Sequence, residues 1–307
     1  MERKGFINEG KRLELYEWRS AEPRGILFIV HGMAEHMGRY DGFASYLAER
    51  GISVFGFDSR CHGYTDKDTL GYSEGDIWGL TVKDCIAVIK ALKEEFGLPL
   101  IVMGHSYGSF VTQRLIETEN EADAYILSGS CYMKGAVLKI GHAIAVRGMK
   151  KAPREGSRIL YDMTFASYDK KFGRPAAWLS RDEEEVRKYN ADEMCGFCCS
   201  NAFYESFFRG LTDIVKAENM KKADINKPVY IFSGDHDPVG KMGKGVKKLA
   251  EVYRKNGIKT DLKLYKDGRH EMLNEINKSE VYEDILGYIN GFSGCSGSAR
   301  ENEKTGN

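Results

Sequence analysis

The sequence lacks an excess of charge of either sign. Its 307 residues carry 45 Lys and Arg and 45 Asp and Glu, so the formal net charge is zero. No local run of Lys and Arg makes up for the missing overall charge. Proteins that bind nucleic acid usually present a basic patch to the phosphate backbone. The charge balance therefore excludes nucleic acid as an expected partner.

Long apolar segments are also missing. No run approaches the roughly 20 apolar residues that a helix needs to cross a bilayer, and the mean hydropathy is −0.44. The first residues, Met1–Gly5, are charged, but a polar stretch follows them instead of an apolar one. That pattern argues against a secretory signal. We expect a globular protein without a membrane-spanning helix.

Cysteine is sparse, and its spacing forms no disulfide framework. The seven cysteines, an odd number, are scattered along the chain: Cys61, Cys85, Cys131, Cys195, Cys198, Cys199 and Cys295. This usage predicts a reducing compartment, so we expect a cytoplasmic protein. The cluster at 195–199 is the one that suggests a metal, but zinc needs further ligands and no second CxxC or histidine pair lies nearby in sequence. Neither a metal nor a cofactor is expected.

Apolar runs and amphipathic segments alternate over the first 130 residues. Short apolar runs bounded by glycine suit strands that are covered on both faces, and apolar residues at helical spacing indicate helices between them. The predicted strands are 12–19, 25–31, 52–57, 98–103 and 124–127, and the predicted helices are 43–49, 77–96 and 110–118. This order predicts a mostly parallel sheet with helices on both faces.

The alternation stops after Ser130 and resumes at Pro228. Between them the chain is helix-prone and contains no clear buried strand. The resumed pattern predicts strands at 228–233 and 261–265 and helices at 244–256 and 281–292. We therefore expect a core of residues 1–130 and 223–293, a helical cap at 131–222 inserted between two strands, and a disordered polar tail at 294–307.

The pentapeptide Gly104-His-Ser-Tyr-Gly108 follows a predicted strand and precedes a predicted helix. In this setting G-x-S-x-G is typical of the α/β-hydrolase fold, where it places a serine on a sharp strand-to-helix turn. The flanking glycines let the turn lie close to the sheet and the helix. Ser106 is therefore the candidate nucleophile. The fold class predicted is an α/β-hydrolase with a helical cap insertion.

A serine hydroxyl needs a base before it becomes a useful nucleophile. His270 follows the last predicted strand, at the carboxyl edge where catalytic groups of such sheets gather. Asp237 follows the preceding strand, so Ser106, Asp237 and His270 occur in the order expected for this fold. Asp235 is the alternative acid. In the loop pattern of α/β-hydrolases the acid comes three residues after a glycine, here Gly234, which favours Asp237. Asp235 is then a turn residue.

Backbone N–H groups are expected to stabilise the oxyanion of the transition state. The first donor is the N–H of Tyr107, directly after the candidate nucleophile. The second comes from the loop after the strand that ends at His31, where Gly32 allows a close turn and Met33 supplies the N–H. The sequence thus assigns both oxyanion donors to the backbone.

These residues lie in motifs that resemble the monoacylglycerol lipase and lysophospholipase branch of the α/β-hydrolases. Segment 31–40, HGMAEHMGRY, is similar to HGxGEHxxRY of that family, 58–65 resembles DxRGHGxS, 104–109 resembles GHSxGG, and 179–182 with 189–192 resembles part of its cap. The match extends from about Gly5 to Phe292. Three residues depart from it, because Ala34, Cys61 and Ser109 stand where the family has glycine.

The resemblance implies a serine hydrolase that acts on monoacylglycerol-like or lysophospholipid-like esters through an acyl-Ser106 intermediate. It implies that Glu35, His36 and Arg39 brace the oxyanion loop and that Tyr189 approaches the alcohol part of the substrate. The expected partner is a small ester or lipid. A peptidase or amidase, a cofactor-free haloperoxidase-like enzyme and an acyltransferase use the same triad and stay open. A non-catalytic ligand receptor is the alternative outside enzymes.

Residues 136–149 carry apolar side chains at helical spacing, with Lys139, His142 and Arg147 between them. One interpretation is a lid helix that offers acyl chains an apolar entrance and touches membrane surfaces transiently. The other is a cap helix that packs its apolar face on the core. Under both interpretations the cap roofs the active site.

Overall fold

The computed structural model describes residues 1–118 and 121–292, and within them eight strands form one sheet. The strands are β1 (Glu2–Asn8), β2 (Lys11–Trp18), β3 (Gly25–Val30), β4 (Ile52–Phe57), β5 (Leu100–His105), β6 (Ala124–Ser128), β7 (Val229–Gly234) and β8 (Thr260–Tyr265). Their order is β1-β2-β4-β3-β5-β6-β7-β8. The β1–β2 and β2–β4 pairs are antiparallel and the rest are parallel. The predicted fold class is confirmed.

The α-helices of the described residues connect these strands. They are α1 (Asp41–Ala48), α2 (Ile77–Phe96), α3 (Tyr107–Ile116), α4 (Ala136–Lys151), α5 (Arg158–Tyr161), α6 (Ser167–Phe172), α7 (Glu183–Ala191), α8 (Asn201–Asp213), α9 (Ala217–Met220), α10 (Lys244–Lys255) and α11 (Lys278–Asn290). A π-helical turn, Asp162–Ala166, joins α5 to α6. None of these helices is both long and apolar enough to cross a membrane.

Neighbouring side chains of the central strands enter two different cores. In β3, Ile26 and Phe28 belong to the core formed with α2, α3, α8 and α10. Leu27 and Ile29 belong to the core formed with α1 and α11 on the opposite face. Because helices cover both faces, every residue of β3 is buried, which explains why this strand is apolar throughout.

The described elements follow the sequence prediction closely, with one exception. Helix α2 has the predicted bounds, and the ends of the other predicted elements lie within three residues of the observed ones. Strand β1 was not predicted. It is an edge strand whose residues are mostly exposed, and its sequence, ERKGFIN, carries charges in place of an apolar alternation.

The chain between β6 and β7 forms six α-helices, α4 to α9, and we call residues 136–220 the helical insertion. Helix α8 attaches it to the core, because a Cβ on Gly210 would lie 2.2 Å from the Trp78 ring of α2. Helix α4 packs on α8 at Gly141, where a Cβ would lie 2.5 Å from the Phe208 ring. The tail predicted at 294–307 lies outside the described residues.

Candidate active site

The strand-to-helix turn at Ser106 is tight. Strand β5 ends one residue before Ser106 and α3 begins one residue after it, and the serine has φ 51° and ψ −118°. A non-glycine residue at positive φ costs on the order of 1–3 kcal/mol. A Cβ on Gly104 would lie 2.3 Å from the Gly108 carbonyl oxygen, and one on Gly108 would lie 2.0 Å from that of Val30. The turn therefore requires glycine at both positions.

Asp237 lies in the loop after β7 and His270 in the loop after β8, and both are buried. The Oδ1 atom of Asp237 lies 3.0 Å from Nδ1 of His270. The same carboxylate accepts the Ser233 hydroxyl at 2.7 Å and the Val239 N–H at 2.8 Å. With its Nδ1–H directed to Asp237, the imidazole keeps Nε2 as the atom that can take a proton.

Asp235, the alternative acid, makes a different contact. Its side chain is 38% exposed, and its Oδ1 atom lies 2.7 Å from Nδ1 of His236. Of the two aspartates, Asp237 is the one that contacts His270.

Burial and the neighbouring carboxylate act on the pKa of His270 in opposite directions. Burial disfavours the imidazolium, whereas the charge and hydrogen bond of Asp237, together with the charges of Glu271 and Glu35, favour it. The net effect raises the pKa of His270. Burial also disfavours ionised Asp237, but the attraction of His270 and the hydrogen bonds outweigh it and lower the pKa of Asp237. An ionised aspartate is thus in place to stabilise an imidazolium.

The imidazole of His270 lies against the turn that carries the serine. Its ring centroid is 4.8 Å from that of His105, the residue before Ser106. Gly129, which follows β6, leaves the space for both rings, since a Cβ there would lie 2.8 Å from His270 and 3.2 Å from His105. The His270–Asp237 pair therefore lies against the turn that carries Ser106, at the carboxyl edge of the sheet.

The loop after β3, residues 31–36, lies beside the serine turn. A Cβ on Gly32 would lie 3.3 Å from Cβ of Ser106. Tyr107 begins α3, and its N–H has no hydrogen-bond acceptor within the described residues. One free N–H group is therefore adjacent to the serine. We call residues 31–36 the oxyanion loop, after the role that the sequence predicts for it.

Within the oxyanion loop, two N–H groups have acceptors. Gly32 donates to Oε1 of Glu35 at 2.5 Å, and Ala34 donates to Nε2 of His62 at 3.0 Å. The Met33 N–H, between them, has no acceptor in the part of the chain that the structure describes. The hydrogen bonds on either side therefore fix the peptide that carries this free donor.

The three residues that stand where the family has glycine differ in their effect on the backbone. Ala34 has φ 55° and Cys61 has φ 75°. Both values lie in the left-handed region, where glycine is favoured because it has no Cβ. Ser109 differs, because it lies in α3 and its hydroxyl donates to the Ser106 carbonyl at 2.6 Å. The first two substitutions leave strain in the backbone, and the third adds a hydrogen bond at the serine turn.

A buried charge network supports the oxyanion loop. The guanidinium of Arg39 donates to Glu35 at 2.7 Å and, through two bonds of 2.6 Å, to Glu271. The Tyr40 hydroxyl donates to Glu35 at 2.9 Å. Burial disfavours both ionised carboxylates, but the charge of Arg39 outweighs it and lowers the pKa of Glu35 and of Glu271. The network joins the oxyanion loop to the residue after His270.

The helical insertion also contacts the oxyanion loop. Asp192 lies 2.9 Å from Nε2 of His36. The Ala34 carbonyl accepts the Tyr189 hydroxyl at 3.2 Å and the Gly196 N–H at 2.9 Å. Tyr189, for which the resemblance implied contact with the substrate alcohol, is 6% exposed and is placed among the loop-bracing residues.

Three further histidines near the site are buried. His31 accepts the Ser59 N–H at 2.9 Å through Nε2, and its Nδ1 lies 2.8 Å from the Gly32 carbonyl. Burial lowers the pKa of His31 to about 4, of His62 to about 3 and of His105 to about 4. At neutral pH these three rings are uncharged, and hydrogen bonds to backbone groups fix the tautomers of His31 and His62.

Sequence reasoning missed two residues beside the candidate base. Glu271 follows it directly and binds Arg39. Trp178, from the helical insertion, has its ring centroid 5.1 Å from that of His270, and its carbonyl accepts the His270 N–H at 3.3 Å. A carboxylate next to the candidate base was a visible signal for Glu271. For Trp178 the signal was weaker, a tryptophan just before the cap stretch 179–182.

One group of potential metal ligands, with His36 buried and the other two members partly buried, lies beside the oxyanion loop. Its members, His36, Asp192 and Cys195, have ligand atoms within 4.8 Å of one another. However, Nδ1 of His36 accepts the Gly38 N–H at 3.2 Å, so the proton is on Nε2, which faces Asp192. A protonated Nε2 has no lone pair for a metal. The residues present do not fit a metal ion.

Comparisons with known proteins agree with this geometry. A family model described as serine aminopeptidase, S33, matches residues 21–277. A monoglyceride lipase of Mus musculus is 25% identical over 286 residues, which are 92% of this chain and 87% of that protein. A monoacylglycerol lipase of Mycolicibacterium smegmatis is 25% identical over 91% of this chain and 93% of its own length. The structure of a thermostable carboxyl esterase from Bacillus coagulans, with glycerol, has a TM-score of 0.86 at 24% identity and covers 95% of this chain and 99% of that one.

The family model covers well over half of the chain, and the sheet order, the serine turn and the two carboxyl-edge loops agree with it. The protein is therefore a hydrolase of the α/β-hydrolase fold and belongs to the serine aminopeptidase S33 family, among relatives that are monoglyceride lipases.

Proposed function

We propose that the protein is a serine carboxylic ester hydrolase, with Ser106 as nucleophile, His270 as base and Asp237 as the acid that orients it. The observation that carries this proposal is the buried His270–Asp237 pair, which lies against the strained serine turn. A buried carboxylate bonded to Nδ1 leaves Nε2 for the nucleophile. Ester hydrolysis by this arrangement needs neither a metal nor a cofactor.

The proposed reaction has two halves. The Ser106 hydroxyl attacks the ester carbonyl while His270 takes its proton, and the oxyanion binds the N–H groups of Met33 and Tyr107. The imidazolium then gives the proton to the leaving alcohol, and an acyl-Ser106 ester remains. A water molecule, deprotonated by His270, hydrolyses that ester and restores the serine.

The proposed substrates are monoacylglycerol-like or lysophospholipid-like esters. Aromatic rings of α8 pack beside the serine turn, with the centroids of Phe203 and Phe207 at 5.2 Å and 5.3 Å from that of Tyr107. Relatives include the monoglyceride lipase of Mus musculus and a phospholipase of Bacillus subtilis. Because each buried methylene contributes about 0.8 kcal/mol, two more methylenes are expected to raise kcat/KM about tenfold until the acyl site is full.

The alternative on the same triad is a peptidase or amidase, as the family description suggests. Such an enzyme needs a carboxylate that can bind a free amino terminus. The buried carboxylates next to the triad, Glu35 and Glu271, are both paired with Arg39. This pairing favours esters over peptides. A panel of monoacylglycerols, lysophospholipids and aminoacyl amides separates the two activities.

We also propose that helix α4 contacts lipid surfaces transiently. Its buried residues include Leu138 and Ala145, whereas Val137 is 72% and Ile140 is 54% exposed, with Lys139 between them. The two interpretations of the segment therefore apply to two faces of one helix. An exposed apolar pair next to a basic residue suits a membrane interface. A separate proposal concerns location, which we propose is the cytoplasm. It is supported by the six cysteines between residues 61 and 199, which are free thiols.

The proposal is tested by Ser106→Ala and His270→Ala, with Ser167→Ala, an exposed serine of α6, as control. Both triad variants are expected to lose ester turnover by about 10⁶-fold. A fluorophosphonate probe should label the wild type and the control but not Ser106→Ala. Undiminished turnover by Ser106→Ala, or equal labelling of it, contradicts the proposal.

A further inference from the structure

A short segment of the helical insertion, residues 177–181, runs along the loop that carries His270. We call 177–181 the clamp segment. The Glu271 N–H donates to the Leu179 carbonyl at 2.7 Å, next to the bond between His270 and Trp178. The Ser180 hydroxyl donates to the Asn274 carbonyl at 2.7 Å. The loop of His270 is therefore held by a part of the chain about ninety residues away in sequence.

Glu275 is the residue where the clamp segment and this loop meet. Its side chain is 0% exposed. One oxygen accepts the Arg269 N–H at 2.9 Å and the Arg181 N–H at 3.1 Å. The other accepts Nε of Arg181 at 2.9 Å and the Ile276 N–H at 3.0 Å. These four donors use the roughly four acceptor positions that a carboxylate has.

The position of these donors connects Glu275 to catalysis. The Arg269 N–H is one residue before His270, and the guanidinium of Arg269 also donates to the Ser180 carbonyl at 2.9 Å. A movement of the Arg269 peptide would turn the imidazole of His270 relative to Asp237 and Ser106. A misplacement of about 1 Å in such a group can reduce turnover about a hundredfold.

We infer that Glu275 is a positioning residue of the hydrolase: its buried carboxylate fixes the imidazole of His270 by holding the Arg269 peptide against the clamp segment. This inference rests on the proposed function, because it assigns Glu275 a role only if His270 is the base. Glu275 touches no reacting atom. It acts through the backbone N–H groups of Arg269 and Arg181.

The test is Glu275→Gln, which keeps the size of the side chain but turns an amide NH₂ toward an N–H donor. The matched control is Glu280→Gln on α11, whose carboxylate binds Lys263 at 2.8 Å and is 53% exposed. Rates are expressed per active site, counted by complete fluorophosphonate labelling. We expect Glu275→Gln to lose about 30- to 100-fold in kcat with KM within about twofold, and the control to be unchanged.

Two further measurements separate positioning from a general loss of structure. An imidazole displaced from Asp237 loses the interaction that raises its pKa, so the acid limb of the rate profile should move to lower pH. In a double-mutant cycle with Asp237→Asn, Glu275→Gln should lower kcat by a much smaller factor than it does in the wild-type background, because both substitutions act on the same imidazole. A purely structural role would lower the number of active sites and leave both readouts unchanged.

A second variant keeps the inference falsifiable if Glu275→Gln does not fold. Arg181→Gln removes the guanidinium but leaves the backbone donors, and the side chain of Arg181 is 23% exposed. We expect a five- to tenfold loss in kcat with the same direction of pH shift. The inference is overturned if the variants keep wild-type turnover per active site, if the acid limb of the rate profile does not move, or if the two substitutions of the double-mutant cycle have additive effects. A wild type that neither hydrolyses esters nor is labelled at Ser106 contradicts the proposed function instead.

Discussion

The helical insertion has two halves that differ in what they contact. The inner half, residues 177–213, contains Trp178 over His270 and Tyr189 against the oxyanion loop, and both side chains are buried. The outer half, residues 136–172, exposes Val137, Ile140 and Ile159 by more than half of their surfaces. The insertion is therefore not a uniform lid. Its inner half packs against the loop of His270 and the oxyanion loop, whereas its outer half carries exposed apolar side chains.

The largest expected effect comes from a substitution in the core, and the effects of both halves of the insertion are compared with it. Asp237→Asn should lower kcat about 10⁴-fold, because an amide at this position favours the wrong tautomer of His270. Asp235→Asn, at the exposed aspartate that contacts His236, should change kcat less than twofold. Steady-state kinetics on one monoacylglycerol checks the pair. The reverse order of effects would make Asp235 the acid.

The next expected effect is a dependence of the rate on pH that arises from His270 and Asp237 of the core. The neutral imidazole is the base, and Asp237 raises the pKa of His270, so kcat/KM should rise with pH through a value above the ordinary histidine pKa of about 6.5. At pH 5 the rate should then be at least about 30-fold below its plateau. A profile that is flat from pH 5 to 8 would count against a histidine base.

Tyr189→Phe tests the inner half. It removes the hydroxyl that bonds the Ala34 carbonyl, so the oxyanion loop is held less firmly. The kcat of the variant should fall about tenfold on every ester, whatever its chain length. Tyr288→Phe is the matched control, because the Tyr288 hydroxyl bonds the Pro228 carbonyl at 3.1 Å, far from the triad in the fold. Equal kinetics of the two variants would remove the inner half from the catalytic frame.

Substitutions in the outer half should have the smallest effect, and only on aggregated substrate. Val137→Ser with Ile140→Ser removes the exposed apolar pair of α4. Turnover of monoacylglycerol in vesicles should fall three- to tenfold, whereas a short, dissolved p-nitrophenyl ester should be hydrolysed at the wild-type rate. Vesicle co-sedimentation measures the loss of binding directly. An equal loss on both substrates would show that the halves do not differ.

Sequence patterns predicted the central strands because helices on both faces require unbroken apolar runs, as in β3. They predicted Ser106, Asp237 and His270 because each follows a strand at the same edge of the sheet. They could not predict Glu275 or Trp178 in their roles. Those roles depend on pairing between segments about ninety residues apart, and neither segment carries a local pattern that reveals its partner.

The buried histidines in and beside the oxyanion loop also have a consequence for acid stability. His31 is fully buried, and its pKa is lowered to about 4, so the unfolded chain takes up a proton more readily than the folded one below about pH 6.5. Folding stability present above that pH is lost as the pH falls toward 4, by about 3 kcal/mol for His31 alone. His62, with a pKa of about 3, acts in the same direction.

A typical domain is stable by only 5–15 kcal/mol, so losses of this size are a large fraction of the stability of a folded domain, and the free energy of unfolding is expected to fall as the pH drops from about 6.5 toward 4. Inactivation should therefore occur in two stages. A brief exposure to moderate acid titrates His270 and is reversed at once by neutralisation, whereas longer or stronger acidification unfolds the loop region cooperatively. Circular dichroism recorded beside recovered activity would distinguish the stages. The histidines that hydrogen-bond the oxyanion loop at neutral pH thus also lower the stability of the folded protein in acid.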